Sequence, residues 1–417
     1  MLENRTLFSR VHVLPPGAAW SFCRGSLDKK GTYFEPREWE QEEPLRPEEY
    51  FANLRDVFVR KLPRYFEGCE KVGVSLTGGL DTRIIMAWRK APPGSLPCYT
   101  FGSMYRENED VRLARQVAKI CGQSHQVITT GKEFLSRFSL YAERTIYLTD
   151  ATVDLGRSPD LYLNEKAREV APVRMVGTFG SEMLLHEVMF KATEPVAGLY
   201  QDELLPQIHA ARETYDAMRR GHQVTFVAFK QSPWHHYGVL GLEQTQVAVR
   251  TPYLDNDFVK TVYRAPGPVA INEESRLRLI KEGNPALANL RTDRGIGGVS
   301  SLFTRATLNF LFKAEYAYDY GMPQWAAQMD HMFAAFHLER LWIGRHKTFH
   351  FRVWYRDELA NYVREMLLDR RALARPYLKP ESVRTIVEGH LKGNRNYTTE
   401  IHRLLTLELT HRLLLDS

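Results

Sequence analysis

Glycines, hydroxyls and one carboxylate come together at Thr77–Thr82, between a short apolar run at Val72–Leu76 and a segment with helical periodicity. A strand that turns through glycines into a helix leaves backbone N–H groups and the positive end of the helix dipole at one point, where a polyanion binds. Gly78 and Gly79 let the backbone approach phosphate oxygens, and Asp81 offers a ligand for the Mg²⁺ that accompanies pyrophosphate. The pattern therefore predicts a phosphate-binding loop.

Two common glycine-rich phosphate motifs are absent at this loop, because no lysine follows Gly78 and Gly79 and their spacing is not G-x-G-x-x-G. An ordinary strand-to-helix turn would also place Asp81 near a helix N-terminus, where its charge complements the dipole. Both interpretations fit these six residues, so the surrounding sequence has to separate them.

The elements that would position this loop are those of a parallel sheet. Between residues 70 and 190, strand-like runs alternate with helical periodicity. From 196 to 417 the pattern is helical, with amphipathic stretches at Phe351–Leu368 and Thr399–Leu414. We predict a doubly wound α/β fold with a largely helical C-terminal half. The predicted strands are Val72–Leu76, Cys98–Phe101, Gln126–Ile128 and Arg174–Val176, and the predicted helices are Thr82–Arg89 and Val111–Ile120.

The N-terminal 45 residues predict short strands at Val11–Leu14, Ala18–Phe22 and Thr32–Phe34. This is too little chain to bury a core, so we expect residues 1–45 to form a separate small unit beside a domain at 46–417. The apolar spacing of Glu48–Leu62 predicts a helix that lies on this larger domain.

Composition indicates a globular protein with 417 residues, 44% of them hydrophobic, and a net charge of +6. No apolar run approaches the roughly 18 residues of a membrane span, and no signal-peptide core is present, so we expect a cytoplasmic protein. Four scattered cysteines predict neither a zinc site nor a disulfide framework. The excess of 56 basic over 50 acidic residues gives little support to nucleic-acid binding.

Five features in order resemble the synthetase domain of asparagine synthetase. Gly73–Thr82 resembles the S-G-G-x-D-S signature of ATP pyrophosphatases, with threonine in place of both serines. The resemblance implies a nucleotide-binding α/β fold of the PP-loop type, with ATP and Mg²⁺ as ligands. The other features are Tyr99–Gly102, the pair Glu109-Asp110 with the turn Gly122–His125, the segment Arg250–Asp255, and the ending His390–Leu409.

The resemblance also implies which residues hold the nucleotide. Thr77–Gly79 would bind pyrophosphate, Leu76 and Thr100–Ser103 would line adenosine, and Mg²⁺ would lie on Asp81 and Glu182. The full implied nucleotide set is Leu76, Thr77, Gly78, Gly79, Asp81, Thr82, Thr100, Phe101, Gly102, Ser103 and Gly177.

One segment departs from the family pattern. Where the family has G-E-G-x-D-E, the chain has Gly177–Glu182, with Thr178 at the catalytic glutamate and Ser181 at the metal aspartate. Glu182 keeps the last acid and is a candidate for both catalysis and metal binding. Losing carboxylates removes a general base and a hard oxygen ligand.

The family's catalytic lysine has two candidate replacements, Arg276 and Lys281, although a solvated amphipathic helix would show the same residues. Arginine holds phosphate in a bidentate way but does not transfer a proton. Arg291–Gly298 fits either an anion-binding loop or a surface turn. His235-His236 is more typical of aromatic packing than of metal ligation, and His125 fits either the family's histidine or a buried hydrogen-bonded one.

Residues 1–45 resemble the last strands of the family's glutaminase domain, whose remainder is missing, and Leu2 stands where that domain has a nucleophilic cysteine. We therefore expect no glutamine hydrolysis. The implied reaction is ATP-dependent amide ligation between a carboxylate and an amine or ammonia, with a separate glutaminase subunit as one nitrogen source. A catalytically degenerate nucleotide-binding protein and an RNA-modifying enzyme that adenylates a base remain the alternatives.

Overall fold

Five parallel strands form the central sheet of the protein. The computed structural model describes residues 2–189, 195–267, 272–298, 302–336, 339 and 342–416. The strand order β5-β4-β3-β6-β7 confirms the doubly wound α/β prediction. In chain order the strands are β1 (Ala18–Cys23), β2 (Ser26–Thr32), β3 (Val72–Ser75), β4 (Cys98–Gly102), β5 (His125–Thr129), β6 (Val173–Met175) and β7 (Ala248–Arg250), of which β1 and β2 form a separate pair.

The order of the strands fixes where a ligand can bind. From β3 the chain moves outward through β4 to β5, then crosses back to place β6 on the other side of β3. The register pairs Val74 with Met175, so the loops that follow β3 and β6 leave the sheet side by side. Ligands of open α/β sheets bind at such a reversal, outside the carboxyl ends of the strands.

Helices surround the sheet and form the C-terminal half, as predicted. They are α1 (Arg37–Glu40), α2 (Pro47–Lys61), α3 (Asp81–Trp88), α4 (Glu109–Ile120), α5 (Lys132–Ser136), α6 (Phe138–Thr149), α7 (Ser158–Val170), α8 (Gly180–Leu185), α9 (Leu205–Arg219), α10 (Gln223–Thr225), α11 (Tyr237–Gln244), α12 (Asn256–Tyr263), α13 (Glu274–Gly283), α14 (Pro285–Ala288), α15 (Leu302–Tyr316), α16 (Gln324–Met332), α17 (Phe351–Arg356), α18 (Ala360–Leu367), α19 (Arg370–Leu373), α20 (Pro380–Leu391) and α21 (Thr398–Thr410). None of these described helices is long and apolar enough to span a membrane.

Each face of the sheet has its own hydrophobic core. Val74 and Leu76 pack with α2, α3 and α13 on one face, whereas Phe101 and Ile128 contact the cluster of α6, α18, α20 and α21 on the other. Because side chains alternate between the two faces of a strand, β4 contributes Cys98 to the first core and Phe101 to the second. The predicted phosphate-binding loop therefore rests on a sheet that is packed from both sides.

Several predicted boundaries shifted. The stretch Phe351–Leu368 forms two helices, α17 and α18, because the chain breaks at Asp357, where φ is −108° and ψ is −86°. The predicted helix Thr399–Leu414 ends as α21 at Thr410 and continues as a π-helix, His411–Leu415. β7 was not predicted, because none of the three residues of this edge strand is buried, so they form no apolar run, unlike the equally short β6.

The N-terminal strand predictions were partly wrong. Ala18–Phe22 lies in β1, but its partner is Ser26–Thr32, and Val11–Leu14 contributes only a bridge between His12 and Arg5. Arg24 and Gly25, with φ of 48° and 80°, form a tight turn of the kind that matches the twist of a hairpin. This turn sends the chain straight back along β1, so Thr32 ends a strand instead of starting one.

The packing of α2 gives a test of the first core. Leu54 is fully buried, whereas Val59 on the same helix is 36% exposed. We expect Leu54→Ala to lower the free energy of unfolding by about 2–5 kcal/mol. Val59→Ala should change it by less than about 0.5 kcal/mol. Urea unfolding followed by circular dichroism measures both, and equal losses would contradict the assignment of α2 to the core.

Candidate active site

The predicted phosphate-binding loop, Thr77–Thr82, which we call the phosphate loop, lies between β3 and α3, and the amides of its first three residues all have partners. The amide of Thr77 donates to Thr82 Oγ1 at 3.3 Å, and the amide of Gly79 donates to Thr77 Oγ1 at 3.3 Å. Gly78 donates to the carboxylate of Asp110 at 2.9 Å. The two 3.3 Å bonds are longer than usual and therefore weak, so phosphate oxygens can replace them.

Asp110, in the first turn of α4, holds the middle of the loop. A Cβ atom at Gly78 would lie 2.9 Å from Asp110 Oδ1 and from Leu113 Cδ1, so only glycine permits this approach. Burial, together with the nearby charge of Asp293, raises the pKa of Asp110 to about 6. Asp110 was noted in the sequence as part of an acidic pair, but its contact with the loop comes from the tertiary structure.

Asp81 is the centre of the site, because three other elements contact it. Its Oδ2 accepts a hydrogen bond from Ser181 at 3.0 Å, and its Oδ1 accepts one from the guanidinium of Arg276 at 2.7 Å. The hydroxyl of Tyr253 donates to its carbonyl oxygen at 2.7 Å. Burial raises the pKa of Asp81, while Arg276 and Ser181 oppose that shift by favouring the carboxylate.

Two glycines after β6 allow the chain to pass directly against Asp81. A Cβ atom at Gly180 would lie 2.5 Å from Asp81 Cγ, and one at Gly177 would lie 2.7 Å from the amide of Thr82. Between them Phe179 adopts a φ of 74°, which is costly for a residue with a side chain. The segment 177–182, which differs from the family pattern by lacking acids at positions 178 and 181, therefore still packs directly against Asp81.

Glu182 lies close to this centre without bonding to it. Its side chain is 7% exposed, and His236 Nε2 lies 3.9 Å from its Oε1. Burial, and to a smaller extent the charge of Asp81, raises the pKa of Glu182 to about 7. A carboxyl group with this pKa exists in both protonation states near neutral pH.

The structure separates the two candidate cations. Arg276 on α13 is buried and bridges Asp81 and Glu273, at 2.7 and 2.8 Å. Lys281 lies five residues later on the same helix and is exposed. Five residues correspond to about 500° of helical rotation, so the two side chains point to different sides.

Most of the residues expected to line adenosine make contacts within the sheet or the first core. The hydroxyl of Thr100 donates to the carbonyl of Leu76 and lies 2.9 Å from His125 Nε2. The ring of Phe101 lies under the guanidinium of Arg174, 4.8 Å from its centroid. At Gly102 a Cβ atom would have no room. The hydroxyl of Ser103 accepts a hydrogen bond from the amide of Tyr105, and the side chain of Leu76 is buried in the first core.

Arg83 is a site residue that the sequence prediction missed. Its buried guanidinium donates to the carbonyls of Gly78, Leu290 and Arg291, so it ties the phosphate loop to the segment 290–298. This contact places the predicted anion-binding segment beside the loop. The sequence feature that could have revealed Arg83 is its position two residues after Asp81, in a helix whose following residues are apolar.

The candidate histidines His125, His235 and His236 pack against aromatic rings or hydrogen-bond to a neighbouring side chain. The ring of His236 packs edge-on against Phe179 at 5.0 Å and lies 5.2 Å from His235, as the aromatic-packing interpretation predicted. His125 bonds to Thr100, and burial lowers its pKa to about 4, so it is neutral. No group of three or more histidine, cysteine or acidic side chains in the described chain could hold a metal ion.

A Mg²⁺ ion carried by a nucleotide needs only one or two protein carboxylates. The Asp81 side chain is 20% exposed, and its Oδ1 accepts from Arg276 while Ser181 donates to the carboxylate from both its hydroxyl and its backbone. A carboxylate offers about four lone-pair positions, so room for a metal bond remains. Glu182 is the next acid, and its pKa responds to the charge of Asp81. The donor set therefore fits a metal that arrives with phosphates, with Asp81 shared between the metal and Arg276.

The close approach of Gly180 gives a sharp test of this geometry. In Gly180→Ala the added methyl must displace the Asp81 carboxylate, at a cost of about 1–3 kcal/mol. We expect ATP affinity, measured by calorimetry, to fall at least about tenfold. Gly241→Ala, where a Cβ meets nothing within 4 Å, is the matched control and should bind ATP normally. Equal affinities for both variants would contradict the arrangement.

The pKa of Asp110 predicts a pH dependence of stability. Because folding raises this pKa from 3.8 to about 6, the native state holds more protons in that window, and the contribution to stability falls as pH rises through it. Asp110→Asn keeps an oxygen acceptor for Gly78 and removes the charge. We expect its stability relative to the wild type to increase between about pH 4 and pH 6, in urea titrations at each pH. A difference that does not change with pH would refute this.

A comparison with known proteins identifies the family of the chain. The family model described as Asparagine synthase matches residues 53–236 and 334–412, which together exceed half of the chain. A search of the curated proteins finds no match. The first matched range contains the phosphate loop, Asp110, Arg83 and Glu182, and the second contains α17 to α21. With the parallel sheet, the loop and these matches taken together, the chain belongs to the asparagine synthase family.

Proposed function

We propose that the protein is an ATP-dependent ligase that joins a carboxylate to an amine or ammonia through an acyl-adenylate, releasing pyrophosphate and AMP. The observation that carries this proposal is the convergence of Ser181 and Arg276 on Asp81, at the N-terminus of α3 and beside the phosphate loop. Family membership supports an ATP-dependent synthetase chemistry in general. The steps below assign roles to this chain's own residues.

In the first step a substrate carboxylate attacks the α-phosphorus of ATP, and the bond to pyrophosphate breaks. The amides of Thr77 and Gly79 exchange their weak bonds to hydroxyls for bonds to the departing pyrophosphate, helped by the dipole of α3. Asp81 and Glu182 are the residues that would hold Mg²⁺. When bound, Mg²⁺ would neutralise part of the charge that develops on pyrophosphate.

In the second step an amine attacks the acyl carbon and AMP leaves. We assign to Arg276 the role of stabilising the negative charge of the reacting phosphates, because it is buried and contacts Asp81, whereas Lys281 is exposed. Adenosine would lie along the ends of β3 and β4, against Leu76 and Thr100–Ser103, with Gly177 on the opposite side. Arg83 would keep the segment 290–298 in place over the phosphates.

A second candidate function is nucleotide binding without catalysis. Both carboxylate oxygens of Asp81 already have protein partners, and Thr178 and Ser181 provide no acid. A site of this kind would bind ATP as a structural or regulatory ligand. Pyrophosphate release separates the two functions.

The deciding experiment measures pyrophosphate released from Mg·ATP by the pure protein, offered pooled carboxylic acids with ammonium or amines. A ligase gives release that depends on an acid in the pool and that is lost in Asp81→Ala. ATP binding by calorimetry with no release from any pool would favour the non-catalytic function. Lack of ATP binding would refute both.

The two cations on α13 give a matched pair of variants. We expect Arg276→Ala to lower the rate of pyrophosphate release by about 100-fold or more, because it removes a positive charge from the reacting phosphates. Lys281→Ala should stay within about twofold of the wild type, since the replaced side chain is exposed. The opposite ranking of the two variants would reassign the catalytic cation to Lys281.

A further inference from the structure

The hairpin formed by β1 and β2 has strand edges that no other described strand covers. The two strands pair only with each other, and residues 21–30 are all exposed. Phe22 and Leu27 are 65% and 44% exposed. A two-stranded hairpin is marginally stable alone, and an uncovered edge offers a row of N–H and C=O groups to another extended chain.

The charge of the hairpin selects what can pair with it. Residues 18–32 contain the cations Arg24, Lys29 and Lys30 and the single acid Asp28. Lys30 is paired with Trp20 and its ammonium lies 4.2 Å above that ring, while its neighbour Lys29 points to the other face. A strand added beside β2 therefore meets a cation on both faces.

A cavity lies directly beyond the end of β2. The chain continues from Thr32 to Phe34, whose ring packs against Phe229 at 5.2 Å. These two rings and Trp234 form the aromatic part of the lining of a cavity of about 370 Å³, within the usual range of about 300–1,000 Å³ for ligand pockets. The same lining contains two acids and two cations, Glu35, Glu40, Arg37 and Lys230, whose charges balance, so the cationic attraction for an acidic segment comes from β2 and not from the cavity. At about 3.3 Å per residue, a strand that runs past β2 reaches this cavity two residues later.

We propose that the edge of β2 binds an extended acidic segment of another polypeptide by strand addition, and that the cavity takes a large apolar side chain of that segment. Backbone bonds along an edge, with a pocket for a side chain, form a recurring mode of peptide recognition. A second copy of this chain is a poor occupant, because β2 carries two lysines and one aspartate, so two β2 strands have a net repulsion.

The test uses a fluorescein-labelled peptide of about nine residues, long enough to cover the seven residues of β2 and the two that follow. It alternates glutamate and valine and ends in phenylalanine, which reaches the cavity when the peptide runs parallel to β2. Fluorescence anisotropy with the full chain should show saturable binding. In one isomer the odd-numbered amides are N-methylated and in the other the even-numbered ones. Strand addition requires that only one isomer loses binding, because successive amides point to opposite sides of the strand.

Variants that reverse the charge of the hairpin test whether the lysines of β2 attract the acidic peptide. Lys29→Glu with Lys30→Glu should weaken binding by about tenfold or more, while the reversal of two exposed lysines elsewhere, Lys119→Glu with Lys132→Glu, should not. Phe229→Ala should weaken binding of the peptide that ends in phenylalanine and leave unchanged a peptide that ends in alanine.

Three results would overturn the proposal. The first is no binding of the acidic peptide, and the second is an equal effect of both methylated isomers. The third is self-association of the wild type, seen in analytical sedimentation and abolished by the charge reversal at Lys29 and Lys30. That result would mean that a second copy of the chain pairs with the edge of β2. None of these results depends on ATP, so the proposed ligase function stands or falls separately.

Discussion

The carboxylate of Asp81 is the constraint around which the site is arranged. It is mostly buried, and its two oxygens take donors from α8 and α13 while Tyr253 fixes its backbone. A buried charge left without its partner typically costs about 3–5 kcal/mol. The loop after β3, the segment after β6 and helix α13 are therefore held in one relative position by a single side chain.

The serine at position 181 has an electrostatic consequence for Asp81 that an acid there would not have. A second carboxylate there would repel Asp81 and would require a cation between the two acids. A serine hydroxyl donates a hydrogen bond instead, and Arg276 supplies the positive charge. Arg276 lies between two carboxylates, those of Asp81 and Glu273, so its single positive charge balances only one of them.

Rigidity is distributed unevenly around this centre. Arg83 joins the phosphate loop to the segment 290–298, and two cores support the sheet from opposite faces. The hairpin of β1 and β2 has no such support at its tip, where residues 21–30 are exposed. The residues around Asp81 therefore belong to the packed part of the protein, and the hairpin tip does not.

The sequence by itself determined the fold class and the strand–loop–helix order at Thr77–Thr82, because glycine positions and apolar periodicity are local properties of the chain. It did not determine the short strand β7, the partner of β1, or the contacts of Arg83 and Asp110, because these depend on residues distant in the chain. It also left Arg276 and Lys281 as equal candidates. Only the tertiary structure separated them, because the direction of a helix face is set by what that helix packs against.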